Sequence, residues 1–163
     1  MAPALLVLGA SLRVADGGGT RTIPLAGFFT GVKKHVLRPE EMVVGVEVPP
    51  AEGRALYLKK ARIRGFDLAQ VGVAGLFSTT TGLRLGLGAL ASTPVLVDLP
   101  GISRREQLVA GDVPAAALEK VLSSISPIDD QRASREYRLA MVEYLVRRVL
   151  GHLGEAGEDA QAD

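Results

Sequence analysis

The densest chemistry-bearing stretch of the chain is Lys59-Lys60-Ala61-Arg62-Ile63-Arg64, four cations in six residues, with Asp67 close behind. It reads either as an anion-facing strip or as a solvated strand face. Lys59 and Lys60 are neighbours on a predicted strand and point to opposite faces. At most one of them, joined by Arg62 or Arg64 according to parity, can serve a given ligand. Gly86-Leu87-Gly88-Ala89-Leu90-Ala91 carries the letters of a GxGxxA dinucleotide fingerprint. That fingerprint needs a turn opening a helix whose N-terminus faces the pyrophosphate. Here it falls inside an alternating strand that runs into Ser92-Thr93-Pro94. Asp129 and Asp130 are adjacent carboxylates. Catalytic pairs face each other across a substrate, so capping and turn formation are the expected roles. With no cysteine and only two histidines, His35 and His152, the chain lacks thiolate, disulfide, iron–sulfur and multi-histidine zinc chemistry.

The 163 residues carry 19 Lys+Arg against 18 Asp+Glu, a net charge of +1. A nucleic-acid binder working by counterion release would show a basic excess, and there is none. Tryptophan is absent and aromatics are 4%, which leaves no stacking platform for single strands. No run of 18 apolar residues exists to span a membrane. The opening MAPALLVLGASLRV lacks the basic region of a signal peptide, and a cytoplasmic location is expected.

The elements that must position these residues are legible in the spacing. Pro3 to Gly9 reads as a short helical end. Leu12 and Val14 alternate with Ser11 and Arg13 in a strand, Asp16-Gly17-Gly18-Gly19 makes a turn, and Thr20 to Leu25 returns as the other arm. Ala26 to Leu37 is a connector. Met42 to Val48 is a β-branched strand stopped by Pro49-Pro50, and Pro49 to Arg54 is the predicted domain boundary. Three strands follow, over Ala55–Ile63, Gln70–Thr79 and Leu83–Leu90, with a Gly/Ala-lined face fit for a closely packed helix or a flat ligand. After Pro100 the period changes to 3.6, predicting helices over Arg104–Ala110, Pro114–Ser124 and from an N-cap at Ser134 to Gly154. Residues 155–163 are acidic and Gly/Ala-rich, and are expected to be disordered. The fold class is α+β, with a three-stranded antiparallel sheet packed on a three-helix layer.

Three groups of motifs then resemble a known family in the correct order. Phe28-Phe29-Thr30-Gly31, Leu37-Arg38-Pro39-Glu40-Glu41 and Val46-Glu47-Val48-Pro49 resemble the FAD-binding domain of molybdenum hydroxylases. Tyr57-Leu58-Lys59-Lys60-Ala61-Arg62, Phe66-Asp67-Leu68-Ala69 and Val71-Gly72-Val73-Ala74 resemble the entry to that family's flavoprotein C-terminal domain. Ile125-Ser126-Pro127 with Asp130, Arg132, Ser134, Tyr137 and Arg138 resembles the signature leading into its last helix.

The resemblance is to the FAD-carrying medium subunit of xanthine dehydrogenase, carbon monoxide dehydrogenase and related enzymes. It implies residues 1–50 as the end of an FAD-binding domain and 54–154 as the C-terminal domain. It implies electron relay from an iron–sulfur subunit, fed by a molybdopterin subunit, through FAD to an acceptor. Val43, with Met42 beside it, matches the aliphatic position that packs on the isoalloxazine. Lys59 matches a lysine making a polar contact to the flavin, Lys60 is the alternative if the register shifts by one, and Asp67 caps the adjacent loop. Family members begin with a longer segment bearing two glycine-rich FAD loops. The resemblance therefore implies an incomplete FAD site here, an N-terminal FAD-binding segment as partner, and no catalysis by this chain alone. A non-catalytic docking module that does not hold FAD, a homo-oligomer, and a ligand on the Gly/Ala face are the other expectations left open.

Overall fold

The computed structural model describes residues 1–63, 67–108 and 115–155. Helix α1 (Ala2–Val7) starts with a proline in its first turn, where the missing N–H costs nothing. It leads into the hairpin β1 (Ser11–Asp16) and β2 (Gly19–Pro24). The Asp16 carboxylate closes the hairpin turn by accepting from the Gly18 and Gly19 N–H groups at 2.8 and 3.0 Å. A 3₁₀ turn (Leu25–Gly27) and a small antiparallel pair, β3 (Phe29–Gly31) and β4 (Lys34–His35), fill the predicted connector. Strand β5 (Met42–Glu47) then returns to pair with β1, giving a sheet of order β2-β1-β5.

The second sheet is antiparallel with order β6-β7-β8-β9: β6 (Arg54–Lys60), β7 (Val71–Ser78), β8 (Gly82–Gly88) and β9 (Val95–Leu99). It has four strands rather than the three expected. Pro94 precedes the added strand instead of ending the sheet, and Val95, Val97 and Leu99 pair with Leu87, Leu85 and Leu83. The three-helix layer is also corrected. Helices α2 (Ala115–Ser123) and α3 (Arg135–Gly154) form, but the first predicted helix is a single 3₁₀ turn at Arg105–Gln107, with Val109, Ala110 and Pro114 outside the described residues. The Gln107 side-chain carbonyl accepts from the N–H groups of Ser103 and Arg104, which satisfies that turn locally. Ser134 caps α3 as predicted, its hydroxyl accepting from the Tyr137 N–H at 3.1 Å. Of the predicted tail only Glu155 is described, and its carbonyl accepts from Arg54 and Arg105 at the negative end of α3.

Two faces of the second sheet are buried by different helices. Val71, Val73, Leu83, Leu85 and Leu87 meet Val142, Val146, Val149 and Leu150 of α3 in the main core. A methyl at Gly75 would run into Val149 and Leu153, so glycine lets α3 lie directly on β7. The opposite, Gly/Ala-lined face takes α1: a methyl at Gly86 would strike the Pro3 carbonyl, while Ala74 and Leu76 pack with Val7. Over β7 and β8 that face is therefore occupied by a helix, which accounts for the glycines of the GxGxxA letters. Helix α1 also joins the two sheets, because its Leu6 belongs to the cluster of Leu12, Val14, Ile23, Leu25 and Phe28. The Arg84 guanidinium holds its end by donating to the Val7 carbonyl at 2.9 Å while paired with Asp98.

Candidate functional site

Val43 owes its direction to an irregularity in β5. Val14 pairs with Val43 and Arg13 with Gly45, so Val44 is the extra residue of a β-bulge. Leu12 pairs with Val46. Residues directly opposed on antiparallel strands share a face. The bulge therefore sets Val43 and Val46 on the same side as the buried Leu12 and Val14, where strict alternation would have put them on opposite sides. Both nonetheless remain open to solvent on the outer strand of their sheet. Gly45 is the signal in the sequence that could have revealed the bulge, since isolated glycines inside strands often mark one.

The entry to β5 is clamped by Glu41, a residue of the Leu37–Glu41 motif whose pairing with Arg21 the sequence alone does not show. The buried Glu41 carboxylate accepts from Arg21 Nε at 2.6 Å and Nη2 at 2.9 Å, and from the Arg38 N–H at 2.7 Å. The Arg21 guanidinium, followed by the Arg38 N–H, holds the Glu41 carboxyl down at about 2. One side chain thus closes the Leu37–Glu41 turn and ties the start of β5 to β2. Only the pairing across 20 residues makes it visible.

On β6 the two lysines separate as strand geometry requires. Lys59 pairs with Gly72 and Tyr57 with Ala74, on the face that α1 covers. Lys60 pairs with Val71, on the α3 face. The Tyr57 ring lies over Gly72, where a methyl would meet its hydroxyl at 2.6 Å, and burial raises its pKa. Lys59 Nζ donates to the Asp67 carbonyl at 3.0 Å. The Asp67 carboxylate in turn accepts from the N–H groups of Arg62, Ile63 and Leu68 at 2.9, 3.3 and 2.8 Å. Burial opposes its ionisation, but those three donors win and its pKa falls. Asp67 is therefore a loop cap that also holds the lysine. Arg64 and Phe66 lie outside the described residues.

Asp129 and Asp130 do the structural work expected of them. Asp129 accepts from the Arg135 N–H at 2.7 Å at the start of α3. Asp130 accepts from the Arg132 and Ala133 N–H groups and from Arg138 Nη2 at 2.7 Å. The Arg132 N–H is the largest influence holding its carboxyl at about 2; burial opposes it, and Ala133 and Arg138 assist. The guanidinium of Arg138 is buried and also donates to the Gln70 and Ala89 carbonyls at 2.7 and 2.8 Å. It binds α3 to the end of β8 and to the start of β7, the strand that pairs with Lys59 and Tyr57. Val43 and Lys59 thus occupy the outer strands of two sheets that α1 joins, both exposed.

Comparison with known proteins places this geometry. The family model described as the CO dehydrogenase flavoprotein C-terminal domain matches residues 56–153, and that described as the FAD binding domain in molybdopterin dehydrogenase matches residues 1–51. The chain belongs to the CO dehydrogenase flavoprotein family. Among relatives, the putative xanthine dehydrogenase FAD-binding subunit of Escherichia coli K12 is 27% identical over 152 residues, covering 89% of this chain and 52% of that protein. The carbon monoxide dehydrogenase medium chain of Hydrogenophaga pseudoflava is 27% identical over 154 residues, covering 91% and 54%. The solved carbon monoxide dehydrogenase from that organism superposes with a TM-score of 0.75 at 26% identity, over 91% of this chain and 54% of its own. Quinoline 2-oxidoreductase from Pseudomonas putida 86 shares the fold, with a TM-score of 0.76 at 23% identity over 94% of this chain and 55% of that one. The chain spans about half the length of the curated relatives it matches first. Among the described residues, no helix of this family member is long and apolar enough to cross a membrane.

Proposed function

We propose that the chain is part of the FAD-carrying electron-transfer subunit of a molybdenum hydroxylase-type oxidoreductase. It works in the cytoplasm beside an iron–sulfur subunit and a molybdopterin subunit. Residues 1–50 contribute the end of the FAD-binding domain and 54–154 the C-terminal domain. Bound FAD supplies electron transfer between the iron–sulfur clusters and the final acceptor. This chain supplies one wall of its site, through Val43 and Lys59, and an N-terminal FAD-binding segment supplies the rest.

The observation that carries this reading is the division of the two lysines. Lys59, not Lys60, shares the sheet face covered by α1, the helix that leads into the β1–β5 unit bearing Val43. The fit to a flavin is chemical. Val43 offers methyl groups from a half-open strand, which suit a flat ring and exclude water from one side of it. Lys59 offers an ammonium that donates to the Asp67 carbonyl, which fixes where the charge sits. Glu41 sets the position of β5, and Asp67 that of the lysine. Lys60 is retained only as the alternative contact.

The test joins the N-terminal half of the Hydrogenophaga pseudoflava medium chain ahead of Met1 of this chain, to make a complete subunit. The joined subunit is expected to purify with FAD at about one per chain, measured by flavin absorbance after denaturation. A folded but colourless joined subunit that still binds the iron–sulfur subunit would favour the docking-module reading. The exposed apolar residues of β5 are the observation behind that reading.

A further inference from the structure

We propose that the cavity beside the end of β8 binds a small monocarboxylate, with Arg132 and two serine hydroxyls taking the carboxylate and an apolar wall taking its body. The site lies apart from the flavin wall, since neither Val43 nor Lys59 lines it.

The cavity encloses about 370 Å³, within the range of small-molecule sites. Three segments build it: the turn that leaves β8, the loop that leads into α3, and Val32 at the tip of the β3–β4 hairpin. Ala89 turns the chain out of β8 at φ 63°, a left-handed conformation that alanine seldom adopts. Its carbonyl is held there by Arg138 Nη1 at 2.8 Å. Backbone held in this way clusters where ligands bind.

The charge lining the cavity is unbalanced. Two guanidiniums, Arg132 and Arg138, share the single carboxylate of Asp130, which leaves one positive charge in excess. Asp130 has nothing more to give: Oδ1 meets Arg138 Nη2, and Oδ2 meets the Arg132 guanidinium at 3.2 and 3.0 Å. Arg138 lies behind the wall, its side chain 3% exposed, and its Nε has no acceptor among the described residues. Its charge is therefore incompletely answered from within, and low-dielectric walls focus such a field into the cleft. Arg132, with its side chain 39% exposed, is the guanidinium a ligand can touch.

The rest of the lining fixes the kind of anion. Ser92 and Ser126 are exposed at the cavity, and neither hydroxyl is bonded to another described residue. Ala91 and Pro127 are apolar, and Val32 and Ile128 are 67 and 69% exposed. One excess positive charge, two free hydroxyls and this apolar wall suit a singly charged head on an apolar body better than a phosphate of higher charge.

The test is a titration of this chain with benzoate and with benzamide, its uncharged counterpart, followed by backbone amide NMR shifts. Benzoate is expected to give saturable shifts centred on Ala89–Ser92 and Ser126–Arg132, and to bind at least tenfold more tightly than benzamide. Arg132→Gln should weaken benzoate about tenfold and leave benzamide within about twofold. Ser92→Phe, at an exposed position, sets a ring into the cavity and should abolish both. Ser126→Ala leaves every charge of the loop in place and should weaken benzoate about threefold. Unchanged amide positions in β1 and β7 check that each variant is folded. Shifts that do not saturate, shifts centred elsewhere, or benzoate binding that survives Ser92→Phe would overturn the site. Equal affinity for benzamide and benzoate would overturn the carboxylate assignment. None of these outcomes bears on the flavin reading.

Discussion

Lys59 sits opposite Gly72 across the β6–β7 ladder and donates to the carbonyl of Asp67, while its neighbour Lys60 faces Val71 on the other side of the sheet. The pair has the same charge and both side chains are exposed, so it provides an internal control. In the joined subunit, Lys59→Ala is expected to weaken FAD binding by about tenfold, the equivalent of roughly 1.4 kcal/mol. Lys60→Ala is expected to leave it within about twofold. Fluorescence titration of the flavin-free subunit checks both, and equal losses would count against the assignment.

Arg138 is the residue on which the C-terminal packing depends most. Its guanidinium is buried, meets Asp130 and satisfies two carbonyls from separate strands. Arg138→Met fills the volume but orphans those partners, and is expected to cost about 3 kcal/mol, the range for breaking a buried ion pair. The shift of the denaturant midpoint at constant slope measures it.

Acid should act on two carboxylates, Asp130 beside Arg138 and Glu41 beside Arg21. Glu41 and Asp130 are both held at about 2 in the folded chain, below their ordinary values near 4. A carboxyl depressed by folding contributes stability that is fully present above its unfolded pKa and lost as pH falls through the folded one. Stability should therefore decline between about pH 5 and pH 2. Glu41→Gln and Asp130→Asn should each be less stable at pH 7 and lose less over that interval. Parallel acid profiles for variant and parent would show that these two carboxylates are not the source of the decline.

The glycines of the second sheet can be read by adding one methyl. At Gly86 it would collide with the backbone of Pro3, which cannot yield as a side chain can. Gly86→Ala is expected to destabilise by about 1–3 kcal/mol, in the range of overpacking. At Gly101 nothing lies within 4 Å, and Gly101→Ala should be close to neutral. Thermal unfolding of the two variants decides whether α1 seals that face.

Local chemistry made much of this structure legible in the sequence. The cap at Ser134, the Asp16 turn and the alternation of Leu83, Leu85 and Leu87 depend on residues close together in the chain, and each appears where the spacing put it. What the sequence hides depends on distance. The bulge at Val44 is a matter of register between two strands about 30 residues apart. The Glu41–Arg21 clamp and the Arg138 cluster join residues far apart in sequence. Strand β9 is hidden behind Pro94, because proline before a strand and proline ending one look alike in a single sequence. The candidate site is half legible: parity alone shows that only one of the two lysines can serve, and the register with β7 is needed to say which shares a face with α1.

The most direct test of the central claim is FAD affinity in the joined subunit carrying Val43→Asp and Lys59→Ala together. A carboxylate in place of the valine, and the loss of the ammonium, should remove FAD binding at concentrations where the parent is saturated, with the circular dichroism of the sheet and helices unchanged. A doubly substituted subunit that folds and binds FAD as tightly as its parent would show that this chain does not form a wall of the flavin site.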